Sequence, residues 1–116
     1  MTRPNHSLSV RIDLPNGMRF GPGKAALLRQ LQQTGSIRAA ATDLQMSYPR
    51  ALKLIEQMNH TFARPLVETT HGGAGGGGAR VTQSGLSVLE LYDEICDAAM
   101  DAGESKLKRL ITFLAI

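Results

Sequence analysis

Four side chains that could recognise another molecule lie close together in the sequence: Ser47, Tyr48, Arg50 and Lys53. An arginine can donate two parallel hydrogen bonds to a guanine, and a lysine supplies a point charge for a phosphate. A tyrosine can stack on a thymine methyl group or donate to a phosphate. Together these residue types favour recognition of double-stranded DNA. The alternative is a solvated helix face that contacts no ligand.

The remaining reactive residues do not form a catalytic or metal-binding pattern. His6, His60 and His71 share no metal-ligand spacing, and the single Cys96 excludes an internal disulfide or a cysteine-based zinc site. The glycine-rich segment at 72–78 lacks the Gly-Lys-Ser/Thr of a phosphate loop, and the chain has no Gly-x-Ser-x-Gly nucleophile. We therefore expect no enzymatic activity, no cofactor and no metal.

The charge is distributed unevenly along the 116 residues. Residues 1–85 carry a net charge of +6 and residues 86–116 a net charge of −3. A basic body could face phosphates while an acidic tail points away from them, although ordinary scatter of surface charge is the alternative. No apolar run is long enough to span a membrane, and the polar start lacks the apolar stretch of a signal peptide. We expect a cytoplasmic protein.

Periodicity and turn signals predict one mostly helical domain. The predicted elements are, in order, a strand within 7–13, a brief second strand at 18–20, helices at 24–34, 36–44 and 47–59, strands at 66–70 and 79–82, a helix at 83–100 and a further helical piece after Gly103. This order, mainly α with a small β hairpin, is the plan of a winged helix-turn-helix. We assign residues 1–82 to the DNA-binding part and residues 83–116 to C-terminal dimerisation helices of the same domain.

In such a fold the second helix of the motif enters the major groove. This assigns 47–59 as the recognition helix, with Ser47 first as its N-cap and second as a DNA contact. Ser36 is expected to cap the preceding helix and to lie near a phosphate together with Arg38. The glycine-rich tip at 71–78 is expected to approach the DNA backbone, with Arg80 at its base. The alternative is a loop that makes no contact.

The C-terminal helices carry more apolar side chains than one small domain can cover. An exposed remainder calls for a partner, and a two-fold homodimer is the simplest one. The predicted interface residues are Leu86, Leu89, Tyr92, Ile95, Leu107, Leu110, Ile111 and Leu114. The alternative is that the last stripe folds back on its own core.

Several short segments resemble the N-terminal domain of the molybdate-responsive regulator ModE family. They are Phe20-Gly21-Pro22-Gly23, Thr34-Gly35-Ser36-Ile37, Met46-Ser47-Tyr48, Pro65-Leu66-Val67-Glu68-Thr69, the glycine-rich segment, and Ala79-Arg80-Val81-Thr82 with Gly85. The resemblance runs from about Phe20 to Tyr92, and the LysR family is a more distant relative. It implies a dimeric bacterial transcription regulator. Because the chain ends about thirty residues after the predicted wing, we expect no molybdate site in it.

These observations lead to a hypothesis and an alternative. We expect a homodimeric transcriptional regulator that reads palindromic DNA. The alternative is a winged-helix module that kept the fold, lost DNA binding and contacts other proteins.

Overall fold

The computed structural model describes residues 7–70 and 78–115 of the chain. Four helices and two antiparallel two-stranded sheets follow one another in the predicted order. The elements are β1 (Ile12–Asp13), β2 (Arg19–Phe20), α1 (Pro22–Thr34), α2 (Ile37–Asp43), α3 (Tyr48–Thr61), β3 (Val67–Thr69), β4 (Ala79–Val81) and α4 (Gln83–Ile111). Among the described residues, no helix is both long and apolar enough to cross a bilayer.

Local sequence signals determine where α1 ends and where α2 begins. α1 ends at Gly35, which has a left-handed backbone (φ 67°) and donates its N–H to the Leu31 carbonyl oxygen. Only glycine adopts this conformation without steric cost. The Ser36 hydroxyl then accepts a hydrogen bond from the Ala39 amide at 3.1 Å, which confirms Ser36 as the N-cap of α2.

The core is mostly aliphatic, as the scarcity of aromatic residues predicts. Leu27, Leu28 and Leu31 of α1 are fully buried at its centre. Each such side chain stabilises the fold by about 1.5–3 kcal/mol relative to an exposed one. The small side chains of α2 and α3 that pack against them, Ala40, Ala41 and Ala51, allow the three helices to approach closely.

The N-terminal hairpin is shorter than predicted. The alternation of Leu8, Val10 and Ile12 indicates a strand over 7–13, but only Ile12 and Asp13 pair, with Phe20 and Arg19. The partner strand is only two residues long, so residues 7–11 have no strand to bond to. Val10 is held instead by the Tyr92 hydroxyl, which donates to its carbonyl oxygen at 2.6 Å.

The predicted break in the C-terminal helix at Gly103 is wrong. α4 runs unbroken from Gln83 to Ile111, a length of about 43 Å at 1.5 Å per residue. A single glycine costs a helix only about 1 kcal/mol, and good helix formers flank Gly103. Because the body of the domain ends near Cys96, the second half of α4 extends away from it, and the longest dimension of the molecule is 56 Å.

Two of the predicted dimer residues belong to the core of their own chain. Leu89 and Tyr92 are 7% and 5% exposed, because this side of α4 packs on the helical body. They are therefore unavailable to a partner, and Leu86 is half-buried against the same core. Leu91, at 59% exposure, is an apolar side chain that the prediction left out. The last stripe does not fold back, since Leu110 and Leu114 remain exposed.

Candidate nucleic-acid interface

The turn between α2 and α3 is closed by backbone hydrogen bonds. The Met46 amide donates to the Ala41 carbonyl oxygen at 2.9 Å, and the Gln45 amide donates to that of Thr42. Gln45 takes a left-handed backbone (φ 57°), the conformation that allows a tight change of direction. This turn places α3 across α2 with the first turn of α3 exposed.

The first turn of α3 presents the residues singled out in the sequence. The Ser47 hydroxyl accepts a hydrogen bond from the Arg50 amide at 3.2 Å, which confirms Ser47 as the N-cap. Proline at position 49 is tolerated because the first amides of a helix have no intrahelical partner. Tyr48, Arg50 and Lys53 are exposed, while Ala51 and Ile55 on the opposite side are buried. The helix thus separates a polar outer face from a core face.

Arg38 of α2 and Tyr48 of α3 are in direct contact. The guanidinium carbon of Arg38 lies 5.0 Å from the centre of the Tyr48 ring, over its face. A cation in this position is attracted to the negative face of the ring, by about 0.5–1 kcal/mol at an exposed site. The structure therefore brings together two of the predicted DNA-binding residues that lie ten positions apart in sequence.

The exposed cations of the molecule fall into two groups. Arg11, Arg19, Arg29 and Arg80 each form an ion pair with a carboxylate. Lys108 pairs with Glu104 in the same way. Within residues 7–70 and 78–115, Arg38, Arg50 and Lys53 of the helix-turn-helix form no ion pair, and neither do the exposed Arg64, Lys106 and Arg109. The helix-turn-helix therefore presents positive charge that no carboxylate of the described chain neutralises.

The second hairpin places Arg80 differently from the other candidates. In the register of β3 and β4 it lies opposite Glu68, and its guanidinium pairs with the Glu68 carboxylate. Its charge is therefore shared within the hairpin. Of the predicted tip at 71–78, residues 71–77 lie outside the described part of the chain. The remaining one, Gly78, donates its amide to the Thr70 hydroxyl at 2.9 Å.

Asn59 is a positioning residue that the sequence analysis missed. From the last turn of α3, its side-chain amide donates to the Val67 carbonyl oxygen at 2.9 Å, and its oxygen accepts from the amides of Leu66 and Val67. These bonds fix the start of β3, and hence the hairpin, against the end of α3. An asparagine near a helix end before a short connection is a signal for such a bond, although it does not identify the partner strand.

The remaining candidate groups serve the fold. The Nδ1 of His60 lies 2.7 Å from the Glu56 carbonyl oxygen, in the last turn of α3 where a capping role is expected. Burial raises the pKa of Tyr92 to about 12, with a further contribution from the neighbouring Cys96 thiol. Burial, followed by the charge of Arg19, lowers the pKa of Lys24. No cluster of potential metal ligands occurs in the described part of the molecule.

Comparison with known proteins extends these observations. A model of the bacterial regulatory helix-turn-helix protein, lysR family, matches residues 24–86, from α1 to the first turn of α4. The transcriptional regulator ModE of Haemophilus influenzae is 37% identical over 89 residues, which cover 77% of this chain and 35% of that protein. Its counterpart in Yersinia pestis is 44% identical over 72 residues, which cover 62% and 27%. The chain thus spans about a third of the length of these relatives.

A solved structure has the same fold. The CbnR_DBD-DNA complex aligns with a TM-score of 0.60 at 20% sequence identity, and the alignment covers 76% of this chain and 95% of the other. This likeness confirms the predicted winged helix-turn-helix, and the matches to ModE proteins confirm the predicted resemblance.

Proposed function

The chain belongs to the lysR family of bacterial regulatory helix-turn-helix proteins, regulators and not enzymes, and on that premise we propose that it binds palindromic double-stranded DNA as a homodimer. The observation that carries the proposal is the set of unneutralised cations on the helix-turn-helix, Arg38, Arg50 and Lys53. The solved neighbour with the same fold contains DNA, which supports the same ligand class. Such a ligand places the site of action in the bacterial cytoplasm.

We assign different tasks to the cations of this surface. Arg50, three residues after the cap of α3, is positioned to read a guanine with two parallel hydrogen bonds, worth about 1–3 kcal/mol of discrimination. Lys53 lies one turn further along and supplies charge to a phosphate. Arg80 contacts the DNA backbone from the hairpin only if a phosphate competes with Glu68 for its guanidinium. Ser36 and Ser47 contribute mainly by capping α2 and α3.

The apolar side chains of α4 support the homodimer. Val88, Leu91, Ile95, Ala98 and Ala102 recur at alternating spacings of three and four, the pattern of a helix-pairing seam. Leu91 and Ile95 are 59% and 45% exposed, so the middle of the seam is uncovered in the single chain, whereas Val88 at its start packs partly against its own core. Further along α4 and just beyond it, Leu107, Leu110, Ile111 and Leu114 extend the apolar surface. We replace Leu89 and Tyr92 of the predicted interface by Leu91.

The charges of α4 favour an antiparallel pair. Its six carboxylates lie between Glu90 and Glu104, and its three cations between Lys106 and Arg109. In an antiparallel pair that crosses near Ala102, residues 106–109 of each helix face residues 95–98 of the other, within the acidic stretch, whereas a parallel arrangement stacks like charges. Opposite charges across a helix pair set its orientation. We call α1–α3 and the second hairpin of each chain a reading head. In the proposed dimer the two reading heads point outward, to half-sites that lie about one helical turn of DNA apart or a multiple of it.

Fluorescence anisotropy tests the proposal. The probes are a duplex enriched from a random library by the wild-type chain, the duplex upstream of the gene, and a scrambled duplex, each at several salt concentrations. We expect tight, salt-sensitive binding with a preference for the enriched duplex, and loss of that preference in Arg50→Ala. Arg11→Gln is the matched control, because it removes one exposed cation that pairs with Asp13 in the N-terminal hairpin and has no role in the proposed DNA contact.

Two outcomes contradict the proposal. If the wild type binds no duplex even at low salt, the chain is a protein-interaction module instead of a DNA reader. If Arg50→Ala and the wild type have the same affinity for every duplex, α3 does not read sequence.

A further inference from the structure

We propose that Arg38 and Tyr48 act as one unit, in which Arg38 positions the Tyr48 ring for sequence recognition while binding a phosphate itself. This inference rests on the proposed function. It goes beyond it by coupling a backbone contact made from α2 to base recognition made from α3.

The contact between Arg38 and Tyr48 leaves hydrogen-bonding groups of both side chains available. The guanidinium of Arg38 lies over the face of the Tyr48 ring, with 5.0 Å between its carbon and the ring centre. The guanidinium makes no ion pair or side-chain hydrogen bond to the described residues, so its five N–H donors remain available. The Tyr48 hydroxyl is at the rim of its ring and likewise makes no hydrogen bond to the described residues. The pair thus uses one face of the Tyr48 ring for the contact and leaves the Arg38 N–H groups and the Tyr48 hydroxyl available.

The two residues lie at the starts of the two helices of the helix-turn-helix. Tyr48 is the first residue of α3, and Arg38 is in the first turn of α2. In a helix-turn-helix, the start of the second helix meets base edges while the first helix crosses the DNA backbone. The Arg38 guanidinium is therefore positioned to bind a phosphate and the Tyr48 ring to contact a base. The contact between the two side chains links these two interactions.

Arg38 and Tyr48 make no other directional side-chain contact among the described residues. Arg38 forms no ion pair within residues 7–70 and 78–115. Tyr48 is 39% exposed, and its ring makes no aromatic contact there, whereas Tyr92 packs against Phe20. The contact with Arg38 is therefore the directional interaction that orients the Tyr48 ring among the described residues.

This coupling makes a prediction that an ordinary phosphate contact does not make. Loss of a phosphate-binding cation weakens binding to all sequences equally. Loss of Arg38 should also lower the preference of the protein for its own site, since the Tyr48 ring is no longer held. The cation–π contact sets the size of that loss at about two- to fivefold in the preference ratio.

A double-mutant cycle tests the coupling. The ratio of Kd values for the scrambled and the enriched duplex is measured for the wild type, Arg38→Gln, Tyr48→Leu and the double variant. We expect Arg38→Gln to lower the ratio in the wild type and to leave it unchanged when residue 48 is already leucine. Lys53→Gln is the control, because it should weaken both duplexes by one factor. Arg38→Lys keeps the charge without the planar group, so it should keep the salt dependence and still lower the ratio.

Spectroscopy of the free protein gives a readout that needs no DNA. The δ protons of Arg38 should show an upfield ring-current shift in the NMR spectrum, and Tyr48→Leu should abolish it. Both side chains are exposed, so the variants should retain the wild-type fold by circular dichroism.

Three results overturn the inference. The first is an equal loss of affinity for both duplexes in Arg38→Gln, and the second is an unchanged effect of Arg38→Gln in the Tyr48→Leu background. The third is an unshifted Arg38 δ resonance in the wild type. In each case a wild type that still discriminates between the duplexes leaves the proposed function intact. A wild type that binds no duplex overturns both.

Discussion

The Ala79 amide donates a hydrogen bond of 2.9 Å to the Gly35 carbonyl oxygen, and this bond fastens the second hairpin to the turn between α1 and α2. Gly35 therefore does two things at once. It ends α1 in a left-handed conformation, and it provides an acceptor for β4. This bond and the hydrogen bond of Asn59 to the Val67 carbonyl oxygen hold the helix-turn-helix and the hairpin together as one reading head.

Gly35→Ala should lower the free energy of unfolding by about 1 kcal/mol, because a β-carbon is disfavoured at φ 67°. The β-carbon itself would have room, since its nearest neighbour, the Ala79 carbonyl oxygen, would be 4.0 Å away. The variant therefore tests backbone strain and not a steric clash. Urea unfolding measures the effect. Gly23→Ala is the control, since that position lies in α1 with nothing within 4 Å, and it should not destabilise the protein.

Two glycines of α4 should respond to alanine in opposite directions. At Gly85 a β-carbon would clash with the Leu66 carbonyl oxygen and the Val81 side chain, so Gly85→Ala must push α4 away from both, at a cost of more than about 2 kcal/mol. At Gly103 the surroundings are empty, and Gly103→Ala should raise stability by up to about 1 kcal/mol. Thermal unfolding of the two variants checks both signs. A stabilising Gly85→Ala would mean that α4 packs elsewhere.

Asn59→Ala should destabilise the fold by about 2–3 kcal/mol, because it leaves the amides of Leu66 and Val67 without their acceptor. Asn59→Asp keeps that acceptor and loses only the donor to the Val67 carbonyl oxygen, so its cost should be smaller. Denaturant unfolding ranks the two variants. Equal costs would show that the accepting oxygen does not matter.

The Tyr92 hydroxyl gives the stability a defined dependence on alkaline pH. Burial raises the pKa of this group from 10.0 in the unfolded chain to about 12 in the folded one. Between these values the unfolded chain releases its proton first, so the stability present below pH 10 should decline as the pH approaches 12. Tyr92→Phe removes the titrating group and should lose less stability over the same range, as measured by urea unfolding. Parallel losses in the two proteins would contradict the assignment.

Replacement of Leu91 and Ile95 by glutamate should convert the proposed dimer to a monomer, since it introduces charges into the exposed seam of α4. Light scattering after size exclusion measures the mass. Gln32→Glu combined with Gln33→Glu is the control, because it adds the same two charges at exposed positions of α1, outside the seam. A wild type that is already monomeric at high concentration would reject the seam as an interface.

Sequence reasoning located the features that depend on near neighbours in the chain. Ser36 and Ser47 could be assigned as caps because a cap bonds to an amide three residues away. The bonds of Asn59 and the contact of Arg38 with Tyr48 could not be predicted, since both depend on how separate elements cross. At Gly103 the local signal was misleading, because the helix-forming residues on either side outweigh one glycine. The burial of Leu89 and Tyr92 likewise depends on which side of α4 meets the body.

Because α4 is a single unbroken helix, the direction in which its C-terminal side chains point is fixed relative to the rest of the domain. Each residue turns the helix by about 100° and advances it by about 1.5 Å. One alanine inserted after Ala102 would therefore rotate Leu107, Leu110 and Leu114 by about 100° relative to the reading head, without removing any of them. Seven inserted residues would restore the orientation to within about 20° and add about 10 Å. In the proposed dimer, the separation and the relative rotation of the two heads are thus set by the number of residues in this helix.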